Sequence, residues 1–111
     1  MRVLRATGCV LLLAVVVGLA QPATRTLQGV VRASNGEALQ GVVVQLKDVQ
    51  TLSIRSFITE PGGTYYFKEV SADRDYEVKA SFRERWSSAK YVSRFVEGNP
   101  VIADLVIPPT K

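Results

Sequence analysis

The sequence predicts an all-β protein, a single seven-stranded Greek-key β-sandwich preceded by a cleavable N-terminal signal peptide. Three observations predict it. From Leu27 onward, short apolar segments alternate with a period of two. Turn residues punctuate them at intervals of about ten, the spacing of a sandwich. No stretch sustains the period of a helix.

Residues 1–20 read as the signal and take no part in the fold. Met1 to Gly8 carries Arg2 and Arg5 without an acid, Cys9 to Ala20 is unbroken apolar sequence, and Gly18 and Ala20 supply the small residues that signal peptidase accepts. Cleavage is expected before Gln21. The apolar run falls short of the roughly 18–20 residues that cross a bilayer, so membrane contact is expected only through the transient signal. Ala6-Thr7-Gly8-Cys9 is not read as a lipobox, because the apolar stretch follows the cysteine instead of preceding it. The mature chain keeps 91 of the 111 residues, enough for one modest core. Loss of Arg2 and Arg5 leaves 12 basic residues against 10 acidic ones, spread without a basic run, which argues against a nucleic-acid surface. Cys9 is the only cysteine and leaves with the signal. Stability must then come from apolar burial and strand pairing, in a protein expected to be secreted or periplasmic.

Leu27 to Ala33 is the first predicted strand, with Leu27, Gly29 and Val31 on one face and Arg32 on the other. Ser34-Asn35-Gly36-Glu37 turns the chain, since Asn and Gly accept positive φ. Val42 to Asp48 alternates most cleanly, placing Val42, Val44 and Leu46 in the core and Gln45 and Lys47 outside. Leu52 to Thr59 is rich in β-branched residues, but Ile54 and Ile58 fall opposite Phe57, the pattern of an edge strand whose inward face is open. Glu60-Pro61-Gly62-Gly63 breaks the run. Thr64 to Phe67 then places Tyr65 and Phe67 on one face, with Val70 continuing the burial. Asp75 to Arg83 reads as a strand with Tyr76, Val78, Ala80 and Phe82 inward and Glu77, Lys79, Ser81 and Arg83 outward. Glu84 to Lys90 is read as a polar loop, Tyr91 to Val96 as a strand of open facing, Glu97-Gly98-Asn99-Pro100 as a turn, and Val101 to Ile107 as the last strand.

The residue types exclude most catalysis. There is no histidine, hence no usual general base and no usual metal ligand. Asp73 and Asp75, two residues apart, are read as a solvated turn whose Asp side chains cap backbone donors, since two carboxylates without further ligands hold calcium poorly. The candidate ligand or partner surface is Arg83, Arg85, Trp86 and Lys90, widened by an outward-facing Tyr66. An exposed indole stacks on a sugar ring or anchors a protein partner. The competing reading, favoured by composition, folds Trp86 back over the open end of the sandwich with the arginines lying across it.

The succession Gly29-x-Val31, Asn35-Gly36-x-x-Leu39-x-Gly41-Val42-x-Val44-x-Leu46, Thr59-Glu60-x-x-Gly63-x-Tyr65-x-Phe67, Val70 and Tyr76-x-Val78 resembles the carboxypeptidase regulatory-like domain, of transthyretin-like or prealbumin-like fold. The resemblance covers residues 26–107. It implies a small accessory sandwich of the kind attached to metallocarboxypeptidases, outer-membrane receptors and bacterial exported proteins. Glu60 and Asp75 depart from the family's frequent Asp and Gly and bear on loop geometry. Neither a peptidase zinc site nor the histidine-dependent hydroxyisourate hydrolase chemistry of a relative is compatible with a chain that lacks histidine. The Lys–Asn isopeptide of similar adhesin modules is not expected, because the first strand offers Arg32 and no lysine. The expected function is therefore a non-catalytic, cofactor-free interaction module that binds a protein partner in the cell envelope or outside the cell. The alternative is a carbohydrate-binding module in which Trp86 and its loop hold a polysaccharide.

Overall fold

The computed structural model describes residues 23–109; the predicted signal segment 1–20 lies outside the described residues. The strands are β1 (Thr24–Ala33), β2 (Val43–Asp48), β3 (Ile54–Ile58), β4 (Thr64–Ser71), β5 (Tyr76–Phe82), β6 (Arg85–Trp86), β7 (Lys90–Val92), β8 (Val101–Ile102) and β9 (Leu105–Ile107). They form two sheets, one ordered β4-β1-β8 with β9 also on β1, the other β3-β2-β5-β6 with β7 also on β5. The chain passes between sheets after β1, β3, β4 and β7. All seven predicted strands have counterparts; the last divides into β8 and β9, and Arg85–Trp86 adds a short pairing inside the expected loop.

The core fills the space between the sheets with the residues that alternation selects. Leu27 and Val31 of β1, Val42, Val44 and Leu46 at and along β2, Tyr65 and Phe67 of β4, and Val78 and Ala80 of β5 are all buried. Val101, Ala103, Leu105 and Ile107 complete it from the C-terminal strands. Val70 belongs to the same face although it stands an odd number of residues from Phe67. The register against β1 shifts between Arg25 and Leu27, and Glu69 takes a φ of 58°, so a bulge resets the alternation.

One cross-strand pair fixes the first sheet. Gly29 lies opposite Tyr65, whose ring crosses the space a side chain would fill and whose buried hydroxyl donates to the Ala103 carbonyl. A Cβ on Gly29 would stand 2.1 Å from the Ala103 oxygen and 3.0 Å from the Tyr65 ring. Burial, aided by Asp104, raises the Tyr65 phenol above its ordinary range and keeps it a neutral donor. Because the Ala103 carbonyl turns toward Tyr65 while the Asp104 side chain accepts the Val30 N–H at 2.9 Å, the ladder to β1 is interrupted there. This is why the last predicted strand is split, with its inward alternation intact. Gly63 has its own constraint, a φ of 77° with the Val31 carbonyl 2.7 Å from any added Cβ. Thr59, two residues before Pro61, closes the facing end: its hydroxyl accepts the Val42 N–H at 2.9 Å and donates to the Leu39 carbonyl at 2.8 Å.

β3 is an edge strand, as the mixed facing of Ile54, Phe57 and Ile58 predicts. Phe57 turns inward against Phe67 and Tyr66, while Ile54 and Ile58 stay exposed. The strand predicted over Tyr91 to Val96 is corrected to Lys90–Val92. Residues 93–96 turn instead, because buried Arg25 donates to the Ser93 and Val96 carbonyls and Asp75 accepts the Arg94 N–H at 2.7 Å. Phe95 is left in solvent with the Arg94 guanidinium 6.0 Å from its ring.

The β2–β3 hairpin is organised by Asp48. One carboxylate oxygen accepts the Gln50 and Thr51 N–H groups at 2.8 and 3.1 Å, and the other meets Arg74 at 3.3 Å. Burial pulls this carboxyl upward, but the two backbone donors and Arg74 outweigh it and hold the group below its usual range. A carboxylate whose folded pKa is depressed stabilises the fold above its unfolded pKa, about 3.9, and loses that contribution as pH falls through the folded value. The melting-temperature difference between wild type and Asp48→Asn is therefore expected to be largest near neutrality and to shrink steadily below about pH 4. Thermal scans followed by circular dichroism across that range measure it; a difference independent of pH contradicts the assignment.

Candidate functional site

The surface that carries the most unspent chemistry is the outer face of the five-stranded sheet. Alternation along β5 turns Glu77, Lys79 and Ser81 outward, and the ladder sets their neighbours. Ser81 lies between Val43 and Trp86, Lys79 beside Gln45, and Glu77 between Lys47 and Tyr91. Trp86 is 45% exposed and Tyr91 72% exposed. Their β5 partners stand four residues apart, so the two aromatic positions are separated by about 13 Å along the strand direction.

Trp86 reaches this face because the chain reverses tightly at Arg83 and Glu84, both at positive φ (51° and 67°). Two consecutive left-handed residues make a hairpin turn compatible with sheet twist, and the strand that leaves it pairs Trp86 with outward-facing Ser81. Ser87, next in line, goes inward, where its hydroxyl accepts the Ala80 N–H at 2.9 Å. The Lys79 ammonium lies 4.6 Å from the Trp86 ring centroid, a contact worth about 0.5–1 kcal/mol at an exposed site. The indole is thus held in place yet open to solvent. At the other end of the face, Glu77 is held below its ordinary range by a hydrogen bond from Tyr91 and then by Lys47, whose ammonium is 3.3 Å away.

The covering role for Trp86 is accordingly corrected. The arginines expected to lie over it lie on Phe82, with guanidinium carbons 4.9 Å (Arg83) and 5.8 Å (Arg85) from that ring. Arg85 also donates to the Pro108 carbonyl at 2.7 Å, joining β6 to the end of β9 across the sandwich. Lys90 is exposed but pairs with inward-facing Val78, so it borders the face from the other side of β7. Tyr66 does not widen this surface. It stands opposite Gln28 on the four-stranded sheet, 4.9 Å from the Phe57 ring, beside shallow hollows of about 410 and 420 Å³ lined by neutral residues and by Asp104 and Lys68. Of the predicted surface, only Trp86 lies on the outer face itself. Lys79 and Tyr91 are the members that sequence reasoning missed as site residues, although the outward position of Lys79 was legible from the alternation of β5.

Among the described residues, no group of three or more His, Cys, Asp or Glu is placed to hold a metal. Asp75 spends its carboxylate on Arg94, which it meets at 3.1 Å and whose side chain and N–H lower its pKa. Among the described residues, no helix is long and apolar enough to cross a membrane.

Two packed sheets, a core of alternating aliphatics and aromatics, and a glycine–tyrosine cross-strand pair define a small all-β sandwich module. The model of the carboxypeptidase regulatory-like domain matches residues 26–106, and the chain belongs to that family. No match is found among curated protein sequences. Solved structures resemble its fold. The dioxygenase domain of a dioxygenase carbohydrate-binding protein fusion from Streptomyces sp. SirexAA-E superposes with a TM-score of 0.58 at 13% identity, covering 81% of this chain and 82% of that one. The shaft pilin SpaA from Lactobacillus rhamnosus GG gives 0.61 at 9% identity, covering 80% and 47%. The major pilin subunit BcpA of Bacillus cereus gives 0.57 at 14% identity, covering 81% and 31%. At such identities the likeness is one of fold, and fold alone carries no activity.

Proposed function

We propose that the protein is an exported, non-catalytic interaction module: residues 1–20 direct export, and residues 26–107 form a domain that binds a protein partner in the cell envelope or outside the cell. The outer face of the five-stranded sheet, centred on Trp86, Lys79 and Tyr91, is the binding surface. Family membership supports an accessory role, and likeness in fold to a shaft pilin and a major pilin subunit supports the setting. The carrying observation is the exposed Trp86 on a strand paired into the sheet. Aromatic side chains fixed in place dominate binding energy at interfaces, because little entropy is lost when a partner covers them. Asp48, Asp75 and Glu77 are each held toward the ionised form by their partners, which does not suit these three to act as general acids.

A photo-activatable residue replacing Ser81, between Val43 and Trp86, tests this in intact cells. Cross-links to one protein species are expected from Ser81 and not from Thr64 on the opposite sheet; equal labelling from both positions contradicts the site. A second reading has a specific observation behind it. Trp86 and Tyr91, two exposed aromatic rings on one sheet face, suit an extended polysaccharide. For that ligand, Trp86→Ala is expected to abolish retention on the polysaccharide while changing stability by no more than about 1 kcal/mol. A large loss of stability instead restores the covering role.

A further inference from the structure

β3 carries a second interaction surface, independent of whatever covers Trp86. It is the free edge of the five-stranded sheet, paired only with β2. The ladder tells which of its backbone groups are unused. Thr59 N–H bonds the Val42 carbonyl and Asp48 N–H bonds the Ser53 carbonyl, both at 2.9 Å, at the two ends of an unbroken register. Antiparallel pairing alternates, so Phe57 and Arg55 make the bonds between those ends, and the N–H and C=O groups of Ile54, Ser56 and Ile58 point away from the sheet.

Natural edges are protected by proline, by charge pointing outward or inward, by shortness or by a covering loop. β3 has no proline and no charge on its outer face, and its one such device is the inward-pointing, solvent-exposed Arg55. Its side chains on the outer face are Ile54 (52% exposed), Ser56 and Ile58 (63% exposed). Its one charge, Arg55, turns inward, where it donates to the Lys68 carbonyl at 2.7 Å and lies 5.6 Å from the Phe67 ring.

We infer that β3 pairs with β3 of a second copy of this chain, antiparallel and centred on Ser56, to form a two-fold dimer. The segment is complementary to itself in that register. The three residues with free backbone groups meet one another, Ile54 opposite Ile58 and Ser56 opposite Ser56, each pair exchanging both backbone hydrogen bonds. The isoleucines cover each other on the outer face. On the inner face, Arg55 falls opposite Phe57 and not opposite its own copy, so the only charge meets an aromatic ring of the kind it already contacts. The match is isologous and closes, giving dimers and no ladder of larger species. A pairing over five residues is small beside the roughly 1,200 Å² of a stable complex, so the dimer depends on concentration. It doubles the five-stranded sheet and sets two Trp86 faces side by side on one surface, a geometry that favours repetitive ligands.

Sedimentation velocity of the chain over a concentration series tests the inference. A monomer–dimer equilibrium is expected. Ser56→Pro removes the central donor from the free edge without touching the ladder to β2 and should raise the dimer dissociation constant at least about tenfold with the fold retained. Ile58→Lys does the same by placing charge against charge-free edge, and serves if the proline variant does not fold. In a Cys9→Ser background, Ser56→Cys should form a disulfide-linked dimer on mild oxidation, since directly opposed hydrogen-bonded residues have Cα atoms about 5.5 Å apart, within disulfide reach. Gln45→Cys, one strand in, should not. A chain that stays monomeric at its highest soluble concentration, a dimer indifferent to both edge variants, or open-ended oligomers overturns the inference. Loss of Trp86-dependent binding bears on the proposed function and leaves this result untouched.

Discussion

Val44→Asp is expected to yield no folded protein. Val44 is fully buried, paired with Phe57 on one side and Ala80 on the other in the strand at the centre of the larger sheet. A carboxylate there has no cation or donor to meet it, since backbone groups on both sides are committed to the ladder. The effective penalty for an unpaired buried charge is several kcal/mol, before the lost valine packing is added. Against a total stability of roughly 5–15 kcal/mol for an ordinary domain, that is most or all of it. Gln45→Asp, one residue on and facing outward, should cost within about 0.5 kcal/mol. Comparing the two by far-ultraviolet circular dichroism and thermal unfolding isolates facing from charge. A soluble Val44→Asp protein with a cooperative transition would mean that the strand is turned the other way.

Gly29→Ala carries the second-largest expected effect, and it concerns the smallest possible addition. Its Cβ would sit 2.1 Å from the Ala103 carbonyl oxygen, an atom that belongs to backbone and cannot swing aside. Either β1 or the β8–β9 junction must move. Moving that junction breaks the Tyr65–Ala103 hydrogen bond and strands a buried carbonyl. Overpacking costs about 1–3 kcal/mol and an unsatisfied buried acceptor about 1–3 more, giving a loss of about 2–6 kcal/mol. For a domain of this size the melting temperature should fall by at least about 8 °C. Tyr65→Phe, which removes the hydroxyl and keeps the ring, should show only the hydrogen-bond part. Equal effects of the two variants in thermal melts would contradict a steric role for Gly29.

What could be read from the sequence is what period two encodes directly. Val42, Val44 and Leu46, Tyr65 and Phe67, and Val78 and Ala80 were legible because each stands in a regular strand with one wet face, so local order and burial agree. Val70 was legible as buried but its mechanism was not, since nothing in Lys68-Glu69 announces a residue at positive φ. The outward Trp86 was illegible for the same reason. Its direction depends on a turn at Arg83-Glu84 that lacks the glycine or asparagine by which such turns are recognised, so the segment reads as loop. The turn at residues 93–96 was hidden differently: Arg25, some seventy residues earlier, accounts for it through bonds to two carbonyls. Tyr91 was read as a strand residue but its face was open, because only pairing with Glu77 on β5 sets it beside Lys47 and in line with Trp86.

On the proposed function, Trp86 faces solvent on the outer sheet face and is the residue that a partner covers. Trp86 is the only tryptophan in the chain, so its fluorescence reports on that claim alone. Quenching of the folded protein by neutral acrylamide measures it directly. Substantial quenching is expected in the native state, close to that of the unfolded chain, with protection when the partner or polysaccharide is added. A blue-shifted emission already protected from acrylamide in the free, folded protein would place the indole in the core and contradict the account.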